Sequence, residues 1–515
     1  MRSDSIRDAT LIGAALFALG AWPLLLTKQL PFQDLPNHLA TAEVILRRDL
    51  YPQFVFNGFF KTNTALIAWL VVVGRALGLP LAAKIFAAIT LAATAFALPH
   101  FVLVFGGRFR MRSASLFAWP FVHHWFVAMG MLNFALAIPI AMVLLLVLHA
   151  QSIAPRGWNA AAVAVLAVLL WYAHVFVLGV VGLLVVIHAA TRPVWRERVV
   201  QAIALLAPLV PAGGLIVASL AERLSTRTDA VVKPFPVGFH PPVDLAYNAW
   251  SELYGVFSPL SIPSIVATCA LAWFAWSRRR EAPLFFGPAS LGVLVAAYLF
   301  SPYSALNWAY LNSRFLPFLY LAALLRVPET ITRRAAAAMA ACALAYSVGL
   351  GVDYVRLDRE RARFTAGIDA VPEGAHLLPV PFVTRVPLGN TWSLLHAWGY
   401  YVLARHTSAP MLFADSRSYP ISETDPPPSI VARAIDVRRL ERQDDFCARL
   451  REDGATALDC GAVWRSEWAS FWADAAALFD HVLMWRAPEA VLATVPVAYR
   501  PVFRSDALVV LERVK

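Results

Sequence analysis

Long apolar runs broken by short polar and basic clusters fill the first 352 residues. A run of roughly 20 apolar residues crosses the hydrocarbon core of a bilayer as a helix, and Lys and Arg between runs mark cytoplasmic turns. Residues 9–27 form the first run. Residues 65–79 and 81–105 follow, split by Pro80. The second of these is long enough to span, whereas the first is short, carries Arg75 and is expected to lie at the outer interface. Beyond the basic turn GGRFRMR (106–112), runs at 114–129 and 132–149 continue the pattern. Those at 160–172 and 174–190 are expected to form a tight hairpin of short helices. Runs at 199–220, 262–276, 283–300, 315–325 and 335–352 complete the series. The pattern predicts an α-helical multispanning membrane protein with about eleven spans, its N-terminus cytoplasmic and the chain after the last span outside.

From residue 353 the pattern changes. Short β-like segments (376–382, 411–415, 455–461, 480–485, 498–503 and 507–514) alternate with helical ones (391–404 and 444–453). This predicts an external α/β domain over 353–515, about 160 residues and large enough for its own core. The membrane part is then 1–352, with external loops at 28–64 and 221–260.

Composition agrees: 59% of the 515 residues are hydrophobic and 15% charged, against roughly 25% charged in soluble chains. The net charge of +11 belongs to the membrane part, where it reflects topology, so nucleic acid is not an expected partner. Four cysteines are present. Cys269 and Cys342 fall in spans and read as packing residues. Cys447 in a helical segment and Cys460 late in the following β-like one can meet as a disulfide in an oxidising compartment.

Chemistry concentrates after the first run, in PFQDLPNHLATAEVILRRDLY (31–51). Pro36 presets a helix start, with Leu35, Leu39, Ala42 and Leu46 on one face and His38, Thr41 and Arg48 elsewhere, which predicts an interfacial helix. Asp34 and His38 are four residues apart, so one helical turn brings both to one side. There the carboxylate can take a proton from an attacking hydroxyl or hold a divalent cation such as Mg or Mn, with His38 orienting it or sharing the metal. The same spacing suits Asp34 as an N-cap and His38 as the partner of a loop carbonyl.

Other polar groups stand out in or beside the apolar runs. Arg314 opens a short apolar helix where a guanidinium can grip phosphate with two bonds, or can snorkel to the interface. His174, at the tip of the predicted hairpin, can line the same cavity or rest as a helix-end histidine. The loop at 233–255, KPFPVGFHPPVDLAYNAWSELYG, offers His240, Asp244 and Glu252 to a carbohydrate, with rings that suit sugar stacking or an interfacial belt. His123 and His124 fall within a span pattern and are expected to pack. Trp392 and His396 lie on a predicted helix whose apolar spacing makes them core.

The order of features resembles the GT-C superfamily of integral-membrane glycosyltransferases, which includes protein O-mannosyltransferases and aminoarabinose transferases. The resemblance rests on QDLPNH (33–38), the interfacial run TNTALIAWLVVVGRALG (62–78), the long span after it and the turn GRFRMR, with GMLNF (130–134) and SRFLPFLYL (313–321) as further family-like stretches. It is closest to bacterial multispanning members. It implies an inverting transfer of a sugar from a polyprenyl phosphate, bound from among the membrane lipids, to an external glycan, lipid or protein. The setting would be a bacterial inner membrane with the C-terminal domain periplasmic. By this analogy Asp34 is the general base or a metal-linked carboxylate. Many relatives carry a pair of acids there, whereas Leu35 follows Asp34. Two other readings remain open from sequence: a non-catalytic scaffold whose external domain binds a polysaccharide or partner, and a transporter.

Overall fold

The computed structural model describes residues 3–225, 237–254, 262–281, 283–305, 308–384, 391–414, 419–425, 428–452 and 459–514. In chain order the elements run α1 (Ser3–Ala21), α2 (Leu35–Leu46), β1 (Phe54–Phe56), α3 (Ala65–Leu77), α4 (Leu79–Ser115), α5 (Trp119–Val122), α6 (Trp125–Ala128), α7 (Leu132–Ile153) and α8 (Gly157–Ala190). Then come α9 (Trp195–Leu206), α10 (Val210–Ser225), α11 (Pro242–Ser251), α12 (Ile262–Ser277), α13 (Pro288–Phe300), α14 (Leu316–Leu324), α15 (Arg333–Thr365), β2 (Leu377–Pro381), α16 (Gly399–Arg405) and β3 (Ile421–Glu423). The chain finishes with α17 (Ser429–Ile435), α18 (Gln443–Glu452), α19 (Cys460–Leu478), β4 (His481–Trp485), α20 (Glu489–Leu492), β5 (Tyr499–Arg504) and β6 (Leu508–Arg513). Two compact units result. One holds the N-terminal residues to Leu30 and Gly58–Val355; the other holds Pro31–Asn57 and nearly all that follows Arg356.

The first unit is helical. Among the described residues six helices are long and apolar enough to cross a membrane: Ser3–Leu25, Leu79–Ser115, Leu132–Ile153, Gly157–Ala190, Trp195–Glu222 and Arg333–Ala370. Four shorter apolar helices accompany them, Ala65–Leu77, Ile262–Ser277, Pro288–Phe300 and Ser313–Leu324. α1 packs on α4, α4 on α7 and α7 on α8. Gly78 has a φ of 82°, a left-handed turn that a glycine adopts without strain, and it separates α3 from α4 where the sequence places the boundary between a short run and a span.

Two expected features differ. Residues 114–129 form no long helix; they fold as the one-turn helices α5 and α6, buried throughout from Phe117 to Met129. Outside partners hold the break open. The Trp125 N–H donates to the Leu253 carbonyl at 3.1 Å, and His124 pairs with Tyr254 in an antiparallel bridge, so His123 and His124 sit at a junction and not inside a span. The predicted hairpin at 160–190 is instead a single element, α8, interrupted by one extended residue, His174, with φ −163° and ψ 111°.

The second unit carries a four-stranded sheet of order β2-β4-β6-β5, parallel between β2 and β4 and antiparallel elsewhere. Trp464, Trp468, Phe471, Trp472 and Ala475 recur at helical spacing along α19 and pack with Leu378, Val380, Val482 and Met484 of the sheet. The Asp459 side chain caps α19 by accepting from the N–H groups of Gly461 and Ala462, so Cys460 opens a helix and does not end a strand. It is joined to Cys447 of α18 across a Cα–Cα distance of 5.6 Å.

Two early segments also belong to this unit. β1 pairs antiparallel with β3, Phe54 opposite Glu423 and Phe56 opposite Ile421. α2 is buried on nearly all sides, Asn37, Ala40 and Thr41 as well as Leu35, Leu39 and Ala42, instead of presenting one apolar face. The β-like segment at 411–415 is no strand over its described residues. The Asn37 amide donates to the Met411 carbonyl at 2.9 Å and accepts from the Phe413 N–H at 3.3 Å, taking the place of a neighbouring strand.

Candidate functional site

Asp34 directly precedes α2, the position of an N-cap, yet its side chain makes no capping bond. Its carboxylate accepts from Gln33 Nε2 at 3.1 Å and lies 3.6 Å from His396 Nε2. Gln33 is itself held in place, because its Oε1 accepts from the Trp392 N–H at 2.7 Å. Gly399 explains how the chain around residue 396 comes so close to α2. A Cβ there would stand 2.3 Å from the Pro36 carbonyl oxygen, a gap that a residue without a side chain alone allows. The Asn37 amide pins the 411–413 segment, which sets the Phe413 ring 5.9 Å from that of His38 and 5.0 Å from that of His396. One carboxylate, two imidazoles and a phenyl ring thus form a cluster inside the second unit.

Burial sets its charge state. It pushes the Asp34 carboxyl up to about 7, against a smaller opposing pull from the Gln33 bond. It brings His38 down to about 4. His396 falls to about 3, through burial first and the neighbouring His38 second. Near neutrality both rings are uncharged, and Asp34 stands at the midpoint between acid and carboxylate. The Asp34 side chain as a whole is 16% exposed. Among the described residues no three His, Cys, Asp or Glu side chains are grouped to hold a metal ion.

The first unit carries a second polar group. Arg314 is buried just before α14, donates from Nη1 to His174 Nε2 at 2.8 Å and from Nη2 to the Ala309 carbonyl at 3.2 Å. Its guanidinium lies 4.9 Å from the ring centre of Trp308, 5.7 Å from that of Phe134 and 5.8 Å from that of Phe176. Next to it, the Ser313 hydroxyl donates to the buried Glu252 carboxylate.

Arg314, His174 and Glu252 therefore share one neighbourhood. His240 sits elsewhere on its loop, its ring 4.0 Å from that of Tyr303, and Asp244 is exposed in the first turn of α11. Residues 233–236 and Gly255 of that loop lie outside the described residues. Three contributors escaped the sequence reading. Gln33 adjoins Asp34 and is the one that adjacency could have flagged. His396 meets Asp34 across most of the chain, and Asn63, described below, acts through a turn.

No protein-family model matches the chain, and no curated protein matches it by sequence. Solved structures match over nearly its whole length. ArnT from Cupriavidus metallidurans in the apo state is 14% identical with a TM-score of 0.52, covering 99% of each chain. ArnT bound to undecaprenyl phosphate is 13% identical with a TM-score of 0.48, covering 98% of each. Arabinofuranosyltransferase AftD from Mycobacteria is 14% identical with a TM-score of 0.50 over 98% of this chain and 40% of AftD. At such identity the likeness is one of fold: the chain has the fold of apo ArnT and of the arabinofuranosyltransferase AftD, and six of its described helices are long and apolar enough to cross a membrane.

Proposed function

We propose that this protein is a membrane glycosyltransferase that moves a sugar from a polyprenyl-phosphate-linked donor to an acceptor outside a bacterial inner membrane, with Asp34 as the general base. The observation that carries this reading is a carboxyl released from helix capping, on a partly exposed side chain, and poised by burial near pH 7, where a base works best. In the reaction the acceptor hydroxyl oxygen bonds to the anomeric carbon as the bond from that carbon to the phosphate oxygen breaks. The hydroxyl proton passes to Asp34, and polyprenyl phosphate leaves with the electron pair, inverting the anomeric centre. His396 and Gln33 hold the carboxylate, and His38 lies in the same cluster. Arg314, with His174, is assigned to the donor phosphate, because a desolvated guanidinium among aromatic rings favours an anionic oxygen. His240, Asp244 and Glu252 are assigned to sugar or acceptor hydroxyls. The Cys447–Cys460 disulfide suits an oxidising compartment and supports an external second unit.

The test is mass spectrometry of envelope glycans and glycolipids from cells deleted for the gene and from cells restored with wild type or Asp34→Asn. A glycan lost on deletion and regained with wild type but not with the variant supports the reading. An Asn variant that restores it at the normal rate removes Asp34 from the base role.

A further inference from the structure

A helix interrupted at one residue leaves backbone groups without their intrahelical partners, and inside a membrane protein these must be satisfied by protein. The break of α8 at His174 is matched group for group by the turn Thr62, Asn63, Thr64. Thr62 Oγ1 donates to the Trp171 carbonyl at 2.9 Å, the Thr64 N–H donates to the Tyr172 carbonyl at 3.2 Å, and the Val175 N–H donates to Asn63 Oδ1 at 3.2 Å. Asn63 has a φ of 60°, a left-handed conformation that Asn tolerates and β-branched residues resist. Asn133 of α7 fixes the turn from the other side, donating to the Asn63 carbonyl at 2.6 Å and accepting from the Leu66 N–H at 2.8 Å.

In a regular helix the Val175 N–H would return to the Trp171 carbonyl, and residue 174 would rotate with it. The turn occupies both groups, so His174 stays extended. Its ring then receives Arg314 Nη1 while standing edge-on to Phe134, with centroids 5.1 Å apart.

We infer that Asn63 is a positioning residue for Arg314: by holding α8 open at His174, it fixes the imidazole that aims the guanidinium at the donor phosphate. The inference rests on the assignment of Arg314 to that phosphate. Asn63 touches no substrate and acts through His174.

The experiment measures binding of undecaprenyl phosphate to the purified full-length protein in detergent, alongside its melting temperature. Arg314→Ala tests the underlying assignment. Asn63→Gly keeps the left-handed backbone and removes the acceptor, and Asn63→Asp keeps both. The expected result is that R314A abolishes binding, N63G weakens it roughly tenfold, the scale of one charged hydrogen bond, and N63D binds as wild type, with N63G and N63D melting alike. Wild-type binding by N63G with loss in R314A overturns the inference and leaves the assignment standing. Wild-type binding by R314A overturns both. If N63G does not fold, Thr62→Val, which loses the hydroxyl to Trp171, replaces it under the same two outcomes.

Discussion

The carboxylate of Asp34 lies 3.6 Å from Nε2 of His396, although its position in the chain is that of a helix cap. Because that carboxyl is raised to about 7 by burial, its basic form is lost as pH falls below neutrality. For a base the expected profile of kcat/KM is a tenfold drop per pH unit below about 7, and Asp34→Asn lowers the rate by roughly 10²–10⁴. Steady-state transfer assays across pH check this; an unchanged acid limb in the variant would contradict it.

Gln33 offers a finer test. Its hydrogen bond favours the ionised carboxylate and so lowers the Asp34 pKa against the effect of burial. Gln33→Leu removes that bond, and the acid limb of the rate profile is expected to move to higher pH. A limb that stays in place or moves to lower pH counts against this arrangement.

Stability gives an assay-free measure of the same carboxyl. Its pKa rises from 3.8 to about 7 on folding, so its contribution is fully present below 3.8 and is lost as pH rises through about 7. Asp34→Asn does not titrate and should match wild type near pH 4 but melt above it at pH 8. A difference in melting temperature that does not change with pH would show that Asp34 is not held neutral by the fold.

The two imidazoles act in the opposite sense. His38 and His396 fall from 6.5 to about 4 and about 3 on folding, so their contribution is present above 6.5 and lost as pH falls through those values. In an Asp34→Asn background, which removes the opposing carboxyl, His38→Asn with His396→Asn should flatten the loss of stability between pH 6 and 4. Melting curves recorded at half-unit steps read this directly; a loss as steep as before would place both rings in solvent.

Close approach of α16 to α2 makes Gly399 sensitive. Its replacement by Ala puts a carbon 2.3 Å from the Pro36 oxygen, so backbone must move. A stability loss of about 1–3 kcal/mol is expected, with transfer activity falling as His396 withdraws from Asp34. Wild-type activity in Gly399→Ala would mean that the site does not depend on this contact.

Much of the architecture is legible along the chain because apolar runs and turn residues are local signals. The segments at 376–382, 480–485, 498–503 and 507–514 coincide with β2, β4, β5 and β6, because each is a short, mostly apolar run of strand length. Gly78 and Pro80 mark the start of α4 for the same reason. Helix breaks are less readable. The sequence places a break beside His174 but reads it as a hairpin tip; that α8 continues past it is not legible, because what holds the break is a turn more than a hundred residues earlier in the chain, a partner that no window of sequence contains. The failure at 114–129 is alike, since hydropathy reports burial without telling a spanning helix from two short buried ones. At the candidate site, Asp34 is visible by position after the first run. His396 is not, because its spacing matches that of an ordinary core residue and only the fold reveals its neighbour.

The pairing of β1 with β3, and of α2 with α16, ties residues 31–57 to a region synthesised much later. As the nascent chain leaves the ribosome, the aspartate emerges hundreds of codons before the histidine it faces, so its carboxyl has no finished environment until much later in synthesis. Folding of the second unit is therefore a late event, completed when the C-terminal region closes on a segment that has been waiting for it, and a chain cut short after α15 would leave residues 31–57 without the strand and helix they pack on.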